Sequence, residues 1–582
     1  LSADELELEQ QHLAELYGHV DALREHAAAR AEAGGDPDTV AVWKTELARL
    51  DGVENGLYFG RLDMVDGSRS YIGRIGVFRE SDDAQLLVDW RAPLARAFYT
   101  ATAADPQGVR RRRRITTQGR TVVAVDDELL DSDGTEGQDH LVGEAALLSA
   151  VTAERTGRMR EIVTTLQAEQ DAIIRSEERG ILVVQGGPGT GKTAVALHRV
   201  AYLLYTHEHL RNRGVLVIGP SRIFLDYIGQ VLPGLGENRV VAATLAELHA
   251  GTDITAADPE AERKGSARMA ELIAQQVRRR VRVPDQPWEA EFEEQRLSLD
   301  PATCRAAAQV ARESGLPHNQ ARLVFQEELV ASLAELLVQR MESVLLTEEG
   351  QALDGGSADG KLGASDLKAL AAAGVIVDPD DVEPRELVDS ADQEALRSAL
   401  LADERVTAAL DELWPELTPE EVITDLVGSG PRTAADVPLL DEAAALLGHG
   451  GPRAVFGHVI VDEAQELSEM QWRMLMRRCP SRSMTVVGDL AQTGSAAGAR
   501  SWEQVLAPHV ADRWRLAELT VNYRTPSEVM AATADLLAGT GLRPPRSVRS
   551  SGDEPWLEQS RRDGLGAWCA RSSPSASTAS SS

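Results

Sequence analysis

Residues 181–193 read ILVVQGGPGTGKT, and residues 194–205 continue as AVALHRVAYLLY. An apolar run of strand character runs into Gly186, four further residues, then Gly191, Lys192 and Thr193, and the chain resumes with helical character. Glycines at this spacing let backbone N–H groups turn inward at a helix N-terminus, where the helix dipole also favours an anion. The pattern predicts a phosphate loop made of Gly186, Gly187, Pro188, Gly189, Thr190, Gly191, Lys192 and Thr193. Lys192 is expected to reach the β- and γ-phosphates of a nucleotide, and the Thr193 hydroxyl to ligate Mg²⁺. A glycine-rich turn that merely ends in Lys-Thr is the alternative. The flanking strand and helix argue against it, as does the placing there of one of only five lysines in the chain.

A nucleotide site that hydrolyses ATP needs one carboxylate for the metal and another to activate water. Residues 458–467, HVIVDEAQEL, offer both after a short apolar run. Asp462, at the strand end, is expected to hold Mg²⁺ and Glu463 to act as general base. Adjacent acids at a strand end are common on surfaces, so this reading draws its force from the phosphate loop. VLVIGP at 215–220 and MTVVGD at 484–489 are two more runs of buried-strand type ending in turn residues. A parallel α/β sheet would bring all of these strand ends to one crevice.

Composition sets the wider bounds. At 582 residues the chain has room for roughly four domains. Hydrophobic residues at 43 % and charged residues at 26 % fit a globular protein, and no apolar run approaches the roughly 20 residues of a membrane span. The acidic start LSADELELEQ is the reverse of a secretory signal, so a cytoplasmic location and no membrane partner are expected. Cys304, Cys479 and Cys569 are too few and too scattered for a disulfide framework or a zinc site. The net charge of -32 argues against a protein that lives on phosphate backbones, unless a local basic groove overcomes it.

The order of motifs resembles the UvrD/Rep-like superfamily 1 helicases. LQAEQ at 166–170 is similar to the segment whose glutamine reads adenine, which puts that role on Gln170. DEAQ at 462–465 resembles the second helicase motif. GDLAQ at 488–492 resembles the third, in which Gln492 would sense the γ-phosphate. LTVNYR at 519–524 resembles the fourth, with Arg524 as a γ-phosphate contact. The resemblance implies a RecA-like parallel-sheet motor lobe of the P-loop class, with Lys192, Glu463, Gln492 and Arg524 as the catalytic set.

Around the motor, Leu6, Leu13 and Val20 recur at sevens in the first 33 residues, as do Leu16 and Leu23. That stripe suits either a coiled-coil arm or an amphipathic helix laid on a globular core. Residues 56–130 are β-like, and their phrases YIGRIG, VDWRAP and FYTATAADPQGVRRRRRI resemble the HelD/HelR family. Members of that family attach to RNA polymerase; the resemblance implies a coiled coil entering its secondary channel, an insertion entering the primary channel, and ATP linked to polymerase release. The arginine run 110–114 would ordinarily suggest nucleic acid. In so acidic a chain, neutralisation by nearby acids is the expected alternative.

The spacing predicts an N-terminal helical arm over 1–50, a β-rich segment over 51–139 and a returning helix over 140–165. The first motor lobe would take 166–250 and 451–510, split by a mainly helical, family-specific insertion over 251–450, which is too long for a loop. Its Gly- and acid-rich portion, 354–392, is expected to be a solvated loop or a mimic of nucleic-acid charge. Residues 511–560 would begin a second RecA-like lobe that stays incomplete, and 561–582 form a Ser/Ala/Pro tail of out-of-frame character. With the opening Leu1, this suggests a truncated chain, and the missing arginine of the second lobe predicts impaired hydrolysis. The expectation is an ATP hydrolase of helicase type that recycles RNA polymerase. A 3′ to 5′ DNA helicase, with DNA as partner, and a non-enzymatic polymerase-binding fragment are the alternatives. The oligomeric state is not legible.

Overall fold

The computed structural model describes residues 3–34, 36–79, 81–130, 168–231, 240–248, 258–342, 345–346, 352–353, 368, 370–372, 374, 390–449, 454–534, 544–552 and 555. They divide into two compact units, one drawn from 1–244, 456–466 and 479–582, the other from 245–455 and 467–478. The expected returning helix (140–165), most of the acidic loop (354–392) and the tail (561–582) lie outside the described residues.

The first unit opens with helices α1 (Ala3–Glu32) and α2 (Pro37–Asp51). Pro37 starts α2 at a position where a helix needs no N–H, and Asp38 in its first turn suits the dipole. Six strands follow: β1 (Tyr58–Met64), β2 (Arg69–Gly73), β3 (Val77–Arg79), β4 (Ala84–Asp89), β5 (Val109–Gln118) and β6 (Thr121–Leu129). They form one sheet in the order β3-β4-β2-β1-β5-β6, antiparallel except where β2 meets β4. Leu13, Leu16, Tyr17 and Val20 of α1 are buried in one cluster with Leu50, Tyr58, Ile75, Val77, Ile115 and Val122. The leucine stripe of α1 is therefore spent on this globular core, while Leu6, at its start, is exposed.

The arginine run lies in β5, whose partners carry the opposing charge. Arg111 bonds Asp63, Arg112 bonds Glu128 at 2.8 Å, and Arg113 bonds Asp127 at 2.6 Å and Glu9 at 3.0 Å. Arg61 of β1 also pairs with Glu9, an acid of α1 that is fully buried. Buried charges are tolerated only when paired in this way. Arg111, Arg112 and Arg113 thus form a neutralised ladder between strands, while Arg110 is exposed.

After β6 the first unit continues with β7 (Ile181–Gly186), β8 (Val215–Ile218) and β9 (Val240–Ala243). The second unit then holds two hairpins, β10 (Trp288–Phe292) with β11 (Gln295–Leu299) and β12 (Leu345–Leu346) with β13 (Ala352–Leu353). Otherwise its described residues are mainly helical. Pro301–Glu313 and His318–Glu342 gather around Phe325, Leu329, Leu333 and Trp414, and a second cluster joins Ile273, Ile423, Leu440 and Met470. Its helices start as their sequences dictate: Asp300 caps Ala302 and Thr303, and Thr418 with Glu421 forms a capping box. The helix Glu469–Arg478, expected within the motor lobe, clusters here because Arg477 and Arg478 bond Asp441 and Arg473 bonds Glu442.

Returning to the first unit, the chain adds β14 (His458–Val461), β15 (Met484–Gly488), β16 (Trp514–Leu519) and the short parallel pair β17 (Val521–Asn522) and β18 (Arg546–Ser547). The second six-stranded sheet runs β16-β7-β15-β14-β8-β9, every neighbour parallel. This is the expected parallel α/β architecture, consistent with a RecA-like lobe. One boundary needs correction: β16, expected to begin a second lobe, is the edge strand of this sheet beside β7. Of WRLAEL only Leu519 is buried, because an edge strand is covered less than its neighbours, so it lacks the apolar run that marked them.

Candidate functional site

Every strand of the parallel sheet ends on the same side, and the candidate residues sit on those ends. β7 is buried along its whole length and delivers the chain into Gly186. Gly189 (φ +75°) and Gly191 (φ +85°) then adopt left-handed backbone, which residues with a Cβ resist. At Gly186 the need is space: a Cβ would lie 2.6 Å from the Thr190 hydroxyl and 3.0 Å from Leu519. Pro188 lies in the turn between these glycines, and Thr190 closes it by donating to the Gly187 carbonyl at 2.9 Å. Gly191 caps the helix Lys192–Thr206, which buries most of its length against the sheet.

Lys192 is buried, and its ammonium donates to the Gly186 carbonyl at 2.8 Å and the Gly187 carbonyl at 3.3 Å. The cation is thus held inside the loop, where it could exchange carbonyl partners for phosphate oxygens. Thr193 donates its hydroxyl to Asp462 Oδ2 at 2.6 Å, joining residues 269 positions apart. Asp462 follows β14 and extends the ladder, its N–H bonding the Ile218 carbonyl of β8. Burial pushes its carboxyl up to about 6, with Thr193 opposing the shift and Glu463 adding to it. A divalent cation would supply the missing positive charge. Among the described residues no group of three or more His, Cys, Asp or Glu side chains gathers for a metal. A hydroxyl and one carboxylate suit Mg²⁺, which keeps waters and shares phosphate oxygens, better than an ion that needs a full protein cage.

Glu463 stands next to Asp462 with φ +49°, a left-handed conformation that a residue with a Cβ adopts only when its surroundings force it. Its carboxylate accepts from Gln465 Nε2 at 2.7 Å. Gln465 is fixed in turn by the Asp489 N–H, which donates to its Oε1 at 3.0 Å. Asp489 caps the short turn Leu490–Gln492, and Gln492 ends that turn with its side chain exposed. Beside the turn a cavity of about 390 Å³ is lined by Leu490, Thr493, Ser495 and Arg500. Its lining includes none of the phosphate-loop residues.

Gln170 is buried, donating to the Thr190 carbonyl at 3.4 Å and lying 3.2 Å from a Cβ built on Gly191. It meets the loop at Thr190 and Gly191. Arg524 is exposed on the loop's other side, where a Cβ on Gly189 would come within 2.7 Å of its own Cβ. The Tyr523 N–H bonds the Gly189 carbonyl at 3.0 Å, and buried Asn522 accepts from the N–H groups of Arg524 and Thr525. The structure therefore gathers Gln170, the loop, Asp462, Glu463 and the backbone of Arg524 in one place. Gln185, Gln465, Asp489, Trp502 and Asn522 belong to the same constellation, although sequence reasoning did not single them out. A polar Gln185 ending an apolar strand was the one available signal for the first; Trp502 had none.

The β-rich segment is built into this lobe. Arg175, beside the helix Ala168–Ile174, donates to the carbonyls of Trp90 (2.8 Å) and Arg91 (2.9 Å) of the VDWRAP phrase. Trp90 is fully buried edge-on to His198, and Arg91 lies over Tyr205, both on the helix that starts at Lys192. One apolar core contains Val88, Trp90 and Phe98 together with Leu197, Val200 and Leu204.

Among the described residues no helix is long and apolar enough to cross a membrane. No curated protein matches the chain. Residues 6–140 match the family described as DNA helicase IV HelD, N-terminal domain, and residues 166–219 match the UvrD/REP helicase N-terminal domain. At that level the chain is similar to superfamily 1 helicase-type ATPases.

Proposed function

We propose that this chain binds ATP with Mg²⁺ at the loop Gly186–Thr193 and uses it, as a helicase-type motor, to associate with RNA polymerase core and promote its release. The observation that carries the nucleotide reading is the bond between Thr193 and Asp462, which pairs a loop hydroxyl after β7 with a buried carboxylate after β14, two strands that flank β15. Thr193 and Asp462 hold Mg²⁺, which supplies charge against the β- and γ-phosphates. Lys192 neutralises the same oxygens, Gln170 reads the base, and Glu463 takes the proton of the attacking water. Gln492 and Arg524 sense the γ-phosphate from the two sides of the loop.

The polymerase reading is supported by the match of residues 6–140 and by a net charge of -32, which disfavours a DNA track. The neutralised arginine ladder of β5 supports it as well. The description of that family as a DNA helicase favours duplex unwinding as the second reading. Capture of core polymerase by the chain, without unwinding of a tailed duplex, is the expected result; unwinding without capture overturns the proposal. Calorimetric binding of ATP·Mg²⁺, lost in Lys192→Ala, tests the nucleotide site. A turnover assay with the same pair tests the expectation of impaired hydrolysis.

A further inference from the structure

Gln185 is the last side chain before the phosphate loop, and it is polar in a strand that is otherwise apolar. It is buried, and both ends of its amide are used. Its Oε1 accepts from Trp502 Nε1 at 2.9 Å, and its Nε2 donates to Asp489 Oδ1 at 3.0 Å. An indole nitrogen can only donate, so the orientation of the Gln185 amide is fixed. The next amide is fixed in the same way: the Asp489 N–H can only donate to Gln465 Oε1, which turns Gln465 Nε2 toward Glu463. The bonds form one directional chain from Trp502 through Gln185, Asp489 and Gln465 to the Glu463 carboxylate. Trp502 also covers the end of β15, where a Cβ on Gly488 would come within 2.8 Å of its ring.

We propose that Gln185 is a positioning residue that links filling of the phosphate loop to the placement of Glu463 and of the turn carrying Gln492. This rests on the reading of Glu463 as the base of an ATP site. Gln185 joins the loop through the backbone at Gly186, so a loop displaced by phosphate moves its amide. Asp489 and Trp502 follow because they share that amide. A polar residue placed only for packing would leave Trp502 indifferent to nucleotide.

The test uses the 582-residue chain with Gln185→Met, which keeps length and removes the hydrogen bonds to Trp502, Asp489 and the Leu490 N–H, and Trp502→Phe, which removes only the N–H from an aromatic side chain. Calorimetry with ATP·Mg²⁺ comes first and judges the site alone. Absence of binding by the unaltered chain overturns the nucleotide reading, and this proposal with it. With binding present, both variants are expected to bind within about threefold of the parent. ATP should change the emission of Trp502, taken as the difference between the parent and Trp502→Phe, and Gln185→Met should abolish that change. Whatever turnover the parent retains should fall about tenfold with KM unchanged, and the double variant should be no slower than either single one. An unchanged Trp502 response to ATP in Gln185→Met overturns the proposal, as does a parent that binds ATP with no Trp502 response. Should Gln185→Met fail to fold, Gln185→Glu, which still accepts from Trp502 but cannot donate to Asp489, takes its place: an unchanged Trp502 response to ATP overturns the proposal, and a lost response supports it.

Discussion

The first unit contains two six-stranded sheets of opposite character, and only one of them bears the candidate site. In the N-terminal sheet neighbouring strands mostly run in opposite directions, so strand ends alternate between edges and no crevice collects them. Its polar side chains pair across strands: Arg61, Asp63, Arg112 and Arg113 are all buried and all partnered. In the parallel sheet β7 is apolar up to Gln185, and the buried His458 of β14 and Thr485 of β15 bond each other, while the groups that face the loop concentrate at the C-terminal ends. Charge is spent on holding strands together in the first sheet and left available for a ligand in the second. Buried polar groups can thus mean scaffold or site, and strand direction helps to distinguish them.

The largest expected effect challenges the division between scaffold and site. Trp90 belongs to the N-terminal sheet's chain segment but is buried in the core it shares with the lobe. Trp90→Ala should cost roughly 3–5 kcal/mol, as large aromatic truncations do, and chemical denaturation should show the loss in the whole first unit. A lobe that kept its parental stability would mean the two sheets are energetically separate.

Acid should act at the same joint. Burial holds His198 down at about 4, below its ordinary value of 6.5, so the folded state resists protonation that the unfolded chain accepts. The stabilising contribution is present above pH 6.5 and is lost as pH falls toward 4. For the full shift it amounts to roughly 3 kcal/mol. Melting temperatures between pH 7 and 4.5 should fall, and His198→Phe should flatten that dependence. An identical slope in the variant would show that other groups govern the acid response.

The third effect belongs to the site alone. Thr193→Val removes the hydroxyl bonded to Asp462 without changing shape, and Mg²⁺-dependent nucleotide affinity should drop about tenfold, or 1.4 kcal/mol, by calorimetry. Melting temperature should barely move. The smallest effect is on the scaffold's surface, where Arg120 pairs with Asp21 and Glu54 at 2.7 Å with all three half-exposed. Arg120→Ala should cost less than about 1 kcal/mol, because water already solvates these charges. A larger loss would mean that α1 is pinned to β6 by charge more than by its leucines.

The glycine loop after β7, the acids at the end of β14 and the parallel sheet were legible because each is local: glycine spacing, an apolar run and the residue that ends it lie within a dozen positions. The role of the leucine stripe was not. Leu13, Leu16 and Val20 serve a heptad seam and a sheet-covering helix equally well, and only the partner surface distinguishes them. The arginine run shows the same limit, since its neutralising acids are as far away as Glu9, 104 residues from Arg113. Gln185, Asp489 and Trp502 meet across about 300 positions, and nothing in their separate surroundings announces it. The edge strand β16 escaped for a different reason: half of it faces outward, so its burial leaves only a weak pattern.

The fused core around Trp90 has a consequence that exchange measurements would register. Val88 and Trp90 are buried in one cluster with Leu197 and Val200, so the slowest amides of β4 and of the helix beginning at Lys192 are expected to share one opening reaction. A nucleotide bound at the start of that helix lowers the population of the opened state by mass action. Protection gained at the phosphate loop would therefore appear equally in β4, in a sheet that touches no phosphate.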